Sequence, residues 1–149
     1  MEYKIGHVEM KLSLDGKQKF IVYKEGNDLV YHAVRMGSGD SPKHKQIAEE
    51  IGKHEVTLGG GNAGMYLISG GIYGQRPGLW GKSHTYGGVP REIVENFRLL
   101  ILPLYRQLIP NLEDTDFTVR TECDTSLENW IDGFNRCKSG VTDRNWWST

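Results

Sequence analysis

Residues 29–34 read LVYHAV, an apolar run interrupted by one histidine, and the assignment of this run decides the fold. It is entered from the turn-like EGND at 25–28 and left through RMGSGD at 35–40. β-Branched and aromatic residues bounded by turn residues predict a buried strand. Side chains alternate along a strand, so His32 shares a face with Val30 and Val34, while Tyr31 shares the other with Leu29 and Ala33. Taken locally, an imidazole on an apolar face is ordinarily a packed core residue satisfied by a hydrogen bond. The rest of the chain decides whether His32 does chemistry.

Working outward, HVEMKLSL at 7–14 alternates with Val8, Met10, Leu12 and Leu14 on one face, and KFIVYK at 19–24 resumes the pattern after DGKQ. Asp15-Gly16 predicts a hairpin between these two strands. Ser41-Pro42 supplies an N-cap and a first-turn proline for a helix over 42–54, with Ile47, Ala48 and Ile51 in one stripe. HEVTL at 54–58 reads as a strand ending at three glycines, GMYLIS at 64–69 as another, and LWGKS at 79–83 as a third. Pro90 opens a helix carrying Ile93, Val94, Phe97, Leu100 and Ile101, which is expected to bend or end near Pro103. DFTVRTE at 116–122 alternates as a last strand. The expected fold is α/β (α+β), a single mixed sheet of about six strands with two main helices on its faces. The domain spans 1–125, followed by an extension over 126–149 with one short helix at SLENWIDGFNRC and an aromatic end at Trp146 and Trp147. That aromatic pair either caps an apolar edge or docks a partner.

At 149 residues, the chain is long enough for one domain with its own core. Its 18 basic and 19 acidic residues argue against a general polyanion binder, so no nucleic-acid partner is expected. The longest apolar stretch, LLILPLY at 99–105, is too short to span a bilayer, and the N-terminus lacks the pattern of a secretory signal. A cytoplasmic, monomeric protein without a membrane partner is expected. Cys123 and Cys137 are too few for a disulfide framework and wrongly spaced for zinc, so free thiols are the default. His7, His32, His44, His54 and His84 show no short ligand spacing beyond the pair His44 and His54, near opposite ends of one predicted helix, and no metal or cofactor is expected.

Two motifs carry chemistry. LGGGNAG at 58–64 contains a formal G-x-G-x-x-G from Gly59, but a dinucleotide site needs a helix directly afterwards, and MYLIS predicts a strand. A tight turn or a close backbone approach is what remains. SHTYGG at 83–88 joins a strand to a Pro-initiated helix, a setting where converging backbone N–H groups bind anions, although an ordinary capped turn has the same pattern.

YHA at 31–33, then a helix, LGGG at 58–61, and S-x-x-YG at 83–87 before the last long helix together resemble the small phosphohistidine phosphatases of the Janus family. The resemblance covers roughly residues 17–122 in order and spacing. It implies that His32 is the catalytic histidine, beside Tyr31 as a substrate contact, and that Ser83, His84 and Thr85 form the phosphate-binding loop. It also implies that Lys19 contacts substrate, with Gly59 opening the supporting glycine run. The expected activity is metal-independent hydrolysis of the P–N bond of phosphohistidine, and of phospholysine, in a protein substrate, with phosphate or sulfate able to occupy the site. The imidazole serves as general base or nucleophile.

This chain departs from the pattern at Asn62, where the family carries an arginine; a neutral amide does not neutralise phosphate as a guanidinium does. Arg76 and Lys82 are candidate substitutes, and Lys24 is the basic residue near the short EGND connection. The departure keeps a second reading in play, a non-catalytic phosphate-binding or protein-interaction module of the same fold. A cofactor enzyme built on LGGGNAG ranks last.

Overall fold

The computed structural model describes residues 2–8, 17–36, 43–67, 75–83, 85–134 and 137. Its six strands are β1 (Tyr3–Val8), β2 (Lys17–Glu25), β3 (Asp28–Met36), β4 (Thr57–Leu67), β5 (Gln75–Trp80) and β6 (Thr118–Arg120). The helices are α1 (His44–Glu50), α2 (Arg91–Leu108) and α3 (Leu127–Ile131). The strands form one mixed sheet in the order β1-β3-β2-β4-β5-β6. No described helix is long and apolar enough to cross a membrane.

LVYHAV lies inside β3 at the heart of this arrangement. β2 and β3 form a hairpin in which Glu25 pairs with Asp28, leaving Gly26-Asn27 as the turn. Gly26 takes φ 61°, the left-handed conformation that such two-residue turns need. EGND is therefore the hairpin signal that forms. β1 instead lies along the other edge of β3, in parallel. Its pairing replaces the expected hairpin with β2; Met10, Leu12, Leu14 and Asp15-Gly16 lie outside the described residues, as do Ser41-Pro42 and Trp146-Trp147.

The two faces of the sheet are unequally covered. On one, Phe20, Val22, Leu29, Tyr31, Ala33, Ala63 and Leu79 pack against Ile93, Val94, Phe97 and Ile101 of α2 in the main core. The helical residues recur at three to four positions, as an amphipathic helix requires. Tyr31 stacks on Phe97 at 4.9 Å between ring centroids and donates its hydroxyl to the Ile93 carbonyl at 2.8 Å. α2 runs on through Pro103 to Leu108 rather than ending there. The other face carries a small cluster of Ile21, Tyr23, Val30, Ile47, Ala48 and Tyr86 beneath the seven-residue α1.

The triple glycine does not make a turn. Gly59, Gly60 and Gly61 lie within β4, and a 3-10 turn, His54–Val56, occupies part of the run expected as a separate strand. No room exists there for side chains. A Cβ at Gly60 would lie 2.7 Å from the Phe20 carbonyl and 2.8 Å from His44 Cδ2. One at Gly59 would lie 2.8 Å from both the Gly88 carbonyl and Val89 Cγ1. Because β4 continues directly into Met65–Leu67, no helix follows the glycines, as the rejection of a dinucleotide site requires.

Leu127, Trp130, Ile131 and Cys137, beyond residue 125, belong to the same core. Ser126 caps α3 by accepting from the Asn129 N–H, and Trp130 is fully buried in the main cluster. Cys123 and Cys137 are joined by a disulfide, with Cα atoms 5.3 Å apart, which corrects the expectation of free thiols. The spacing of 14 residues says nothing of this; the fold brings the two together.

Candidate active site

The face beneath α1 gathers polar residues beside its apolar cluster. Ile21 is paired with His32 on one side and with Gly60 on the other. Lys19 is paired with Val34 and Asn62, and Asn62 in turn with Trp80. Paired residues point to one face of a sheet, so His32, Lys19, Asn62 and Trp80 share it. His32 and Lys19 are diagonal neighbours, roughly 7–8 Å apart and within reach of long side chains. All four are half-buried.

His32 has a second imidazole against it. His7 of β1 pairs with His32 in the parallel ladder, and their rings are 5.0 Å apart at 36°. Burial, and then the like charge of His7, hold the His32 imidazole below its ordinary range. Lys19 is shifted down as well, by burial first and then by the ammonium of Lys43. Both shifts favour the neutral forms, for the same pair of physical reasons.

The loop after β5 reaches this face through Tyr86, which packs with Ile21, Val30 and Ile47. Ser83 is buried, with 1% of its surface exposed. Its Oγ accepts from the Tyr86 N–H at 3.2 Å and its carbonyl from the Gly87 N–H at 2.9 Å. Two of the loop amides therefore close a capped turn. The Ser83 side chain is enclosed within this turn, and Thr85 is its exposed residue. Tyr86 is anchored from outside by a hydrogen bond between its hydroxyl and His54 Nδ1, at 2.5 Å. The following glycines are braced by the C-terminal segment: the Gly88 N–H donates to the Cys137 carbonyl at 2.9 Å, and Trp130 Nε1 donates to the Gly88 carbonyl at 3.2 Å.

The structure thus brings His32, Lys19 and Asn62 together and joins the Ser83 turn to their face. Tyr31 is not brought to it. Its ring is on the opposite face, fully buried with its hydroxyl committed to α2, so it holds the scaffold and makes no substrate contact. Gly59 also serves packing, against Gly88 and Val89. His84 and the Arg76 side chain lie outside the described residues. Lys82 sets its ammonium 5.1 Å from the centre of the Trp80 ring, and Lys24 stands at the hairpin end of β2, opposite Leu29. His44 is a structural histidine: its Nε2–H donates to the Gly61 carbonyl at 2.8 Å, seating α1 on β4.

Sequence reasoning missed His7 and Lys43. Neither has a local signal; His7 reaches His32 only through the parallel pairing of β1, and Lys43 reaches Lys19 only through the seating of α1. Among the described residues, no group of three or more His, Cys, Asp or Glu side chains could hold a metal ion. No family model, curated protein or solved structure matches the chain.

Proposed function

We propose that the protein is a phosphatase of the phosphohistidine type, acting on protein-borne phosphohistidine and, by the same P–N chemistry, phospholysine. The observation that carries this reading is the shared sheet face: a half-exposed imidazole biased to its neutral form lies diagonal to a lysine and next to the cluster that docks the Ser83 turn. The resemblance of YHA, LGGG and S-x-x-YG to the Janus family is the second support.

In this reading His32 accepts a proton from water as the water oxygen bonds to phosphorus. The P–N bond breaks, its electron pair leaves with the protonated substrate imidazole, and inorganic phosphate is released. A protonated imidazole is a good leaving group, so positioning and charge stabilisation suffice without a Lewis acid. Lys19 serves the phosphoryl oxygens, and the buried Ser83 holds the turn that carries the exposed Thr85 beside them. General base catalysis of this kind contributes about 10²–10⁴-fold.

The test is phosphate release from a phosphohistidine peptide in the presence of EDTA. Wild-type protein is expected to turn over, and His32→Ala to lose about 10²–10⁴-fold in kcat while keeping its circular dichroism and melting behaviour. A His32→Ala protein as active as wild type removes His32 from the mechanism. Asn62, lacking a guanidinium, favours a second reading as a phosphate-binding module without turnover; wild-type protein that binds phosphate and releases none selects it. A cytoplasmic setting belongs to the first reading, and the Cys123–Cys137 disulfide is the observation against it. Thiol labelling in intact cells decides between them.

A further inference from the structure

Lys19 is half-buried on the candidate face, with the like charge of Lys43 acting on it. Elsewhere in the described structure, Lys4 pairs with Asp28 at 2.8 Å, Lys53 with Glu25 at 3.5 Å, Lys45 with Glu49 at 3.9 Å and Arg91 with Glu95 at 3.8 Å. Lys19 has no carboxylate partner among the described residues, and the charged side chain acting on it is another lysine. The backbone explains this meeting. The Nε2 of His44 is fixed on the Gly61 carbonyl, and Gly60 has no side chain to keep His44 away. The start of α1 is thereby held over β4 next to Asn62, the strand partner of Lys19. Lys43 is the residue just before His44, and its own N–H is tied to Gln46 Oε1 at 2.8 Å, which fixes the backbone from which the side chain extends.

The seating of α1 thus sets Lys43 at the edge of the face that Lys19 and Asn62 share, and two like charges at one face are reconciled by an anion between them. We propose that Lys19 and Lys43 form a two-ammonium clamp for a tetrahedral dianion beside Asn62, with Lys43 as a substrate-binding residue that supplies the positive charge Asn62 lacks. The clamp rests on the phosphatase reading for its biological ligand, but its binding chemistry is separable. A phosphoryl group carries close to two negative charges at neutral pH and offers three acceptor oxygens, so it matches two ammonium donors and one amide donor.

The experiment titrates inorganic phosphate at low ionic strength into the full-length protein, with calorimetric detection, and repeats the titration with Lys43→Gln, Lys43→Arg, Lys19→Gln and Lys45→Gln. Lys43→Gln is expected to weaken phosphate binding about tenfold, the usual scale for one charged hydrogen bond. Lys43→Arg should restore it, and Lys45→Gln, which removes the pair with Glu49, should leave it unchanged. With a phosphohistidine peptide, Lys43→Gln should raise KM while kcat stays within about threefold. Phosphate binding that weakens in Lys19→Gln but not in Lys43→Gln overturns the clamp, as does wild-type protein that binds no phosphate at millimolar concentration. Binding that depends on Lys43 without any turnover upholds the clamp and rejects the phosphatase reading. Turnover whose KM ignores Lys43 does the reverse.

Discussion

At His32, burial and a neighbouring imidazole act in the same direction. Both disfavour the charged ring, so the proton-accepting form persists below the ordinary value of ~6.5. Activity that needs neutral His32 should fall only as pH drops through that lowered value. Removing His7 eliminates one of the two causes. His7→Ala is therefore expected to move the acidic limb of kcat/KM to higher pH, and a profile between pH 4.5 and 8 checks it. An unmoved limb means that His7 has no influence on the base. Linkage gives the same sign for stability: the unfolded chain takes up a proton at His32 more readily than the folded one, so this group destabilises the fold as pH falls from ~6.5 through the lowered value. Lys19 presents the opposite trade. Its ammonium is half-buried and feels the like charge of Lys43, a cost that the clamp proposal assigns to anion binding. Lys19→Met should raise the midpoint of urea unfolding, while removing phosphate binding. A variant less stable than wild type would show that Lys19 supports the fold.

β4 shows why the element scale was only partly legible. A strand is read from alternating side chains, and three consecutive glycines erase the alternation, so one strand looks like two separated by a turn. The contacts that require glycine come from Phe20, His44 and Val89, all distant in sequence. β3 was legible, its faces included, because LVYHAV carries its own alternation and both flanks are turn residues. α2 was legible from its apolar recurrence but not in its extent, because packing of Ile101 and Tyr105 on the core carries the helix past Pro103. Gly60→Ala brings a Cβ against backbone and His44 and should cost about 1–3 kcal/mol, measured by urea denaturation. Pro103→Ala restores an intrahelical donor at an exposed site of α2. It should stabilise by about 1–3 kcal/mol in the same assay, the penalty of an interior proline being about 3 kcal/mol.

At the scale of the whole molecule, the site depends on segments far apart in the chain. β1 contributes His7 by pairing with β3, and the C-terminal segment braces the turn that begins at Ser83; neither relation is written in local sequence. The disulfide closes this second relation. Cys123 follows β6 shortly after Thr121, whose hydroxyl donates to the Val89 carbonyl at 2.6 Å, and Cys137 accepts from Gly88 on the other side of the same bend. Gly87 takes φ 79° with the Cys137 carbonyl directly over its Cα, so a side chain there would displace the tail. Two consequences of opening the bond are separable. Releasing a loop closed over a separation of 14 residues costs about 3 kcal/mol by the chain-entropy estimate, so Cys123→Ser/Cys137→Ser should melt markedly lower than wild type. The second consequence concerns binding: if Cys137 and Trp130 hold the Gly87-Gly88 bend in place, the double variant should also bind inorganic phosphate more weakly at temperatures where it remains fully folded. Trp130→Phe removes the indole N–H to Gly88 while leaving the disulfide intact, and it should reproduce the binding loss in smaller degree with only part of the stability loss. A double variant that melts lower yet binds phosphate as wild type does would confine the disulfide to stability and detach the C-terminal segment from the site.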